Sequence, residues 1–152
     1  MVCSDSIAAG TNQDFAGKAI IEKLELHKVE IADYVIVPDE VADIQQKVLD
    51  YVEQKIDLVI LTGGTGLAHR DVTPEAIQPL LEIEIPGIGE TIRNYGQEHM
   101  PYAMLSRSLG GFRENTLIVA LPGSTRGAQE SMDALFPYLL HVFKIRVHPS
   151  HD

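Results

Sequence analysis

The residues best equipped for chemistry in this chain of 152 residues stand in one glycine-rich stretch, Thr62-Gly63-Gly64-Thr65-Gly66-Leu67-Ala68-His69-Arg70-Asp71-Val72-Thr73-Pro74. Three glycines permit positive φ and let a backbone come close to a ligand. Successive N–H groups in such a turn can form a nest for an anion. Thr62 and Thr65 add hydroxyls. Asp71 lies just ahead of Thr73-Pro74, which reads as a helix start with Thr73 as N-cap and Pro74 in the first turn. A carboxylate there can hold a Mg²⁺ ion, cap free N–H groups or pair with Arg70. No Gly-Lys-Ser/Thr follows the glycines and the spacing is not Gly-x-Gly-x-x-Gly, so neither of those phosphate motifs applies. A tight strand-to-helix turn explains the glycines equally well.

Three further loops carry candidate groups. Pro122-Gly123-Ser124-Thr125-Arg126-Gly127 leads from an apolar run into a helical pattern, with Ser124 as N-cap. Two helix starts at one sheet edge would make a phosphate or carboxylate site. Asp39 follows another apolar run and suits either a site or the N-cap of a helix from Val41. Ser4-Asp5-Ser6 after the short apolar start is a similar case. No catalytic triad is visible. His141, His148 and His151 lack metal-ligand spacing, and His69 reads as a solvent-facing or ligand-near residue.

Positioning these loops requires strands that end where they begin. Continuous apolar runs at residues 29–37, 58–62 and 116–121 read as strands buried on both faces, as in a parallel sheet covered by helices. Ile20, Ile21 and Leu24 mark one helix, and Val41, Ile44, Val48, Leu49 and Val52 form the stripe of a second. Pro79 keeps the helix after Thr73 short or kinked. Met132, Leu135, Phe136, Leu139, Leu140 and Phe143 give a last helix that Pro137 should bend. Strand–helix alternation predicts an α/β chain with a doubly wound, mostly parallel sheet in three layers, whose ligands sit beyond the carboxyl ends of the strands. The chain reads as one domain over residues 1–152, and the brevity of the first strand suits a piece excised from a longer chain.

Composition narrows the function. Acidic side chains outnumber basic ones by 22 to 12, a formal charge of −10. That field repels phosphate backbones, which argues against nucleic acid as a partner. A small anion held by backbone N–H groups remains compatible. One cysteine, Cys3, excludes an intramolecular disulfide and a Cys-rich zinc site. The short, interrupted apolar runs predict no membrane span, and the chain reads as cytoplasmic.

Taken together, the loops resemble one family. Leu61-Thr62-Gly63-Gly64-Thr65-Gly66 with Arg70-Asp71-Val72-Thr73-Pro74-Glu75-Ala76 is similar to the signature of the MogA/MoaB-type molybdenum-cofactor proteins, which include the G domain of gephyrin. Ser4-Asp5-Ser6, Gly17-Lys18-Ala19-Ile20, Ile85-Pro86-Gly87-Ile88-Gly89-Glu90, Leu105-Ser106-Arg107 and Leu121-Pro122-Gly123-Ser124 extend the likeness over nearly the whole chain. The resemblance implies a molybdopterin-binding α/β/α sandwich, a homotrimer, and adenylyl transfer from ATP to molybdopterin with Mg²⁺. Molybdate would be inserted into the product in a separate step, by a partner protein. By the same resemblance, Asp39 and Asp71 serve the transfer and hold Mg²⁺. Ser4, Asp5, Thr62, Gly63, Gly64, Thr65, Gly66, Ser106, Pro122, Gly123 and Ser124 line the pterin and nucleotide pocket. One departure bears on the branch. Adenylyltransferases of this family often carry two threonines before Gly-Gly, whereas here Leu61 precedes a single Thr62. A non-catalytic molybdopterin-binding or scaffold role is the alternative.

Overall fold

A computed structural model describes residues 1–147. His148 and His151 lie outside the described residues. Six strands form one sheet in the order β2-β1-β3-β6-β5-β4. They are β1 (Val2–Cys3), β2 (Ile36–Val37), β3 (Leu58–Thr62), β4 (Ile83–Glu84), β5 (Leu109–Arg113) and β6 (Thr116–Leu121). Strands β2, β1, β3 and β6 run parallel, while β5 is antiparallel to both β6 and β4. From β1 the chain moves outward to β2, then returns past β1 to β3. The strand order therefore reverses between β1 and β3, and a crevice opens at their carboxyl ends.

The apolar runs become strands because helices cover both sheet faces. On β6, Leu117, Val119 and Leu121 face one layer and Ile118 and Ala120 face the other. The first layer holds α2 (Ala16–Leu26), α5 (Pro86–Gln97) and α6 (Thr125–Leu135). The second holds α3 (Val41–Glu53) and α4 (Thr73–Ile77). The α3 stripe is seated as its spacing predicts, with Ile44 and Val48 fully buried. Full burial of one such side chain contributes about 1.5–3 kcal/mol.

Four expectations need correction. The run at residues 29–37 pairs as a strand only at Ile36–Val37. Val29, Ile31 and Val35 still pack against the core, but Glu30 and Asp33 interrupt the run and residues 29–35 form no strand. Thr73 is the first residue of α4, not its N-cap; its hydroxyl donates to Gly63 O at 2.8 Å. Glu40, not Asp39, takes the N-cap position of α3. The last helix breaks at Pro137, whose nitrogen has no proton to donate. It becomes α6, a 3₁₀ turn at Tyr138–Leu140, and α7 (His141–Val147).

Pro79 acts as predicted: α4 is five residues long and gives way to a 3₁₀ turn at Gln78–Leu80. Among the described residues, no helix is long and apolar enough to cross a membrane.

Candidate functional site

The loops after β1, β2, β3 and β6 meet around a cleft of ≈ 360 Å³. Ser4, Asp39, Thr62, Gly63, Gly64, Asp71, Gly123 and Ser124 line it, all of them singled out by sequence. Asn12, Gln13, Asp14 and Phe15 are among its other lining residues. Asp5, Thr65, Gly66, Pro122 and Ser106 are not among the residues that line it. A second cavity of ≈ 380 Å³ is lined by Met1, Leu24, Val29 and Leu58 together with polar groups such as Asp33 and Lys55. Thr62 alone of the expected residues reaches it, so the polar cleft is the candidate for chemistry.

The two glycine loops touch because β3 and β6 are adjacent and parallel. Gly63 donates its N–H to Leu121 O at 3.1 Å, and Thr62 Oγ1 donates to Pro122 O at 2.7 Å. Gly63 and Gly64 both have positive φ, +102° and +67°. A Cβ on Gly123 would sit 2.8 Å from Gly63 Cα, so contact between the loops requires glycine there. Ser124 caps α6 as predicted, accepting from Gly127 N–H at 3.0 Å. Ser4 caps α1 (Asp5–Ala8) through Ile7 N–H at 3.4 Å.

The carboxylates are held by tertiary contacts that spacing does not reveal. Asp5 and Asp39 follow the ends of neighbouring strands and brace each other reciprocally. Asp5 N–H donates to Asp39 Oδ2, and Asp39 N–H donates to Asp5 Oδ1, each at 2.9 Å. Arg70 does not pair with Asp71. Its guanidinium grips Asp5 through Nε at 2.9 Å and Nη2 at 3.1 Å, and reaches Glu40 at 2.7 Å. These bonds hold the Asp5 carboxyl below its ordinary range. Asp71 Oδ2 accepts from Ala68 N–H at 2.8 Å, closing the loop on itself. His69 is exposed, as its reading anticipated.

Asp39 differs from the others. Its Oδ1 is buried and has no hydrogen-bond partner, and a Cβ on Gly64 would lie 3.3 Å from it. Burial, and then the nearby charges of Asp5 and Asp71, push its carboxyl above the ordinary value. A buried carboxylate oxygen without a donor is unfavourable unless a cation or proton reaches it.

Arg107 is the group that sequence reading passed over. It stands in Leu105-Ser106-Arg107, but its side-chain partners lie 32 to 41 residues away, beyond any local pattern.

Comparison with known proteins fits this geometry. Residues 1–141 match the model of a family described as "Probable molybdopterin binding domain". The chain belongs to that molybdopterin-binding family. The molybdopterin adenylyltransferase of Helicobacter pylori is 38% identical over 137 residues, covering 88% of this chain and 78% of that protein. A molybdenum cofactor biosynthesis bifunctional protein of Chlorobaculum tepidum is 36% identical over 143 residues, covering 94% of this chain and 46% of the relative. The chain thus spans about half the length of the bifunctional relatives it matches. Among solved structures, the molybdopterin biosynthesis enzyme MoaB of Thermus thermophilus superposes with a TM-score of 0.90 at 42% identity, over 95% of this chain and 91% of that one. The molybdopterin-binding fold accounts for the sheet order, the two-sided helical cover and the cleft at the strand reversal.

Proposed function

We propose that this chain is a molybdopterin adenylyltransferase. A terminal phosphate oxygen of molybdopterin attacks the α-phosphorus of ATP, a new P–O bond forms, and the bond to pyrophosphate breaks. The observation that carries the reading is the buried, unpartnered Asp39 Oδ1, facing the Gly63-Gly64 turn in a cleft of a molybdopterin-binding fold. The naming of relatives in Helicobacter pylori as molybdopterin adenylyltransferases supports it.

A phosphate nucleophile needs little activation, so the chain's task is to align the reactants and offset their charge. The N–H groups of the Gly63-Gly64 turn and the start of α6 at Ser124 offer donors to anionic oxygens without adding net positive charge. This reconciles phosphate chemistry with the formal charge of −10.

The donor set also suits Mg²⁺. Among the described residues no cluster of three or more protein ligands could hold a metal by itself. Mg²⁺ characteristically takes one or two carboxylates and fills its shell with water and phosphate oxygens. Asp39, through its orphaned oxygen, and Asp71 would hold it. When bound, it would offset charge on the departing pyrophosphate. The resemblance extends the proposal to a cytoplasmic homotrimer that passes its product to a molybdate-inserting partner; sedimentation of the purified chain reads the assembly.

The test combines purified chain, molybdopterin, ATP and Mg²⁺, with the product weighed by mass spectrometry. Adenylyl-molybdopterin that forms only with Mg²⁺ is the expected outcome. Molybdopterin binding with no adenylylated product would move the chain to a non-catalytic carrier role.

A further inference from the structure

We propose that Arg107 is the positioning residue of this site: it fixes Asp71 by pinning both ends of the loop that carries it. The inference rests on the adenylyltransferase reading and adds a residue that the reading did not need. Thr73 and Leu121 tie Gly63 and Gly64, the Arg70 side chain reaches out to Asp5 and Glu40, and two bonds join Ala68 to Asp71, which leaves the carbonyls of Thr65, Gly66 and Asp71 to be held from outside the loop.

Arg107 supplies the outside hold at three points. Its backbone N–H donates to Thr65 O at 2.8 Å and its Nε to Gly66 O at 2.9 Å, at the glycine end. Its Nη2 donates to Asp71 O at 2.8 Å, at the carboxylate end. Its Nη1 pairs with Glu75 on α4, the helix into which the loop runs. A planar guanidinium presents its donors in a fixed fork, so these bonds set the distance between Gly66 and Asp71 as well as holding each. The fit is close: a Cβ on Gly66 would lie 2.7 Å from Asp71 Oδ2.

Arg107 is itself anchored. Arg93 on α5 donates from Nη1 to Ser108 O at 2.9 Å and Ser106 O at 3.3 Å, and the Ser106 and Ser108 hydroxyls bond each other at 2.9 Å. Ser106 thus takes part in the bonds that shape the segment presenting Arg107. Arg107 does not line the cleft, and its guanidinium bonds go to loop carbonyls and Glu75. It therefore acts through Asp71.

The experiment compares Arg107→Lys and Arg107→Gln with the wild-type chain in steady-state adenylyl transfer and in amide hydrogen exchange read by mass spectrometry. A misplacement of about 1 Å costs on the order of a hundredfold, so kcat is expected to fall about 10- to 100-fold with KM for ATP and molybdopterin nearly unchanged. Exchange should accelerate at residues 66–71 while residues 116–121 of β6 keep their protection. Arg107→Lys should not rescue, because one ammonium cannot serve two carbonyls and a carboxylate at fork spacing. Wild-type kcat in either folded variant, full rescue by lysine, or a lost kcat with residues 66–71 still protected would each overturn the proposal. If Arg107→Gln does not fold, Arg107→Lys decides alone. A wild-type chain that makes no product would remove the adenylyltransferase reading, and the exchange measurement would still decide whether Arg107 pins the loop.

Discussion

Replacing Gly63 by alanine probes the contact on which the cleft is built. Gly63 has φ of +102°, and a Cβ there would lie 2.2 Å from Cys3 O. The neighbour is backbone of β1, which cannot swing aside as a flexible side chain would. The left-handed conformation costs about 1–2 kcal/mol for an L-residue. Forcing an extra carbon into a filled space costs about 1–3 kcal/mol more. Gly63→Ala is therefore expected to lose about 2–5 kcal/mol, or roughly 4–20 °C in Tm for a chain of this size. Gly87→Ala is the control. Gly87 lies in α5, has no positive φ, and a Cβ there meets nothing within 4 Å. It should gain about 0.5–1 kcal/mol from the helix preference of alanine. Urea unfolding followed by circular dichroism reads both as shifts in midpoint at constant slope. A Gly63→Ala chain within about 0.5 kcal/mol of wild type, the range of an ordinary surface change, would refute the close approach of the turn to β1.

Two further outcomes follow from individual environments. Burial pushes the Cys3 thiol up to about 12, so it should resist alkylation at pH 8 in the native chain and react once urea unfolds it; labelling of the native chain would refute its burial. The Tyr51 hydroxyl donates to Asp33 at 2.7 Å and holds that carboxyl below its ordinary range. A depressed folded value gives stability that is present above the unfolded value and lost as pH falls through the folded one. Asp33→Asn should then cost less than about 1 kcal/mol at pH 7, because the group is exposed, and the gap should begin to narrow as pH falls past the ordinary carboxylate value of about 3.9 and close below the depressed folded value. A gap that persists unchanged at pH 3 would count against the ion.

What the sequence made legible was local or periodic. The runs that became β3 and β6 carry β-branched and leucine residues facing both layers, and the α3 stripe repeats at three and four. Ser124 announced its cap. The β5 strand carries no such pattern, because Gly110 and Gly111 interrupt the apolar run of Leu109–Arg113. Both are glycine because a Cβ would meet Ile88 at 2.8 Å and Ile83 O at 2.2 Å, contacts that exist only once α5 and β4 are packed. The site divides the same way. The glycine loops and the carboxylates could be named from spacing and family resemblance. The Asp5–Asp39 brace, the Arg70 grip and the Arg107 fork join residues 30 or more positions apart, and only the folded sheet brings them together.

The most direct test of the account is adenylyl transfer by Asp39→Asn beside the wild-type chain, with the thermal midpoint measured on both. The amide keeps the shape of the carboxylate and removes a charge that its surroundings disfavour. The variant should therefore melt no lower than wild type while turnover falls by a factor on the order of a hundred or more. Turnover at the wild-type rate in a folded Asp39→Asn chain would remove the unpartnered carboxylate, and with it the proposed site, from the reaction.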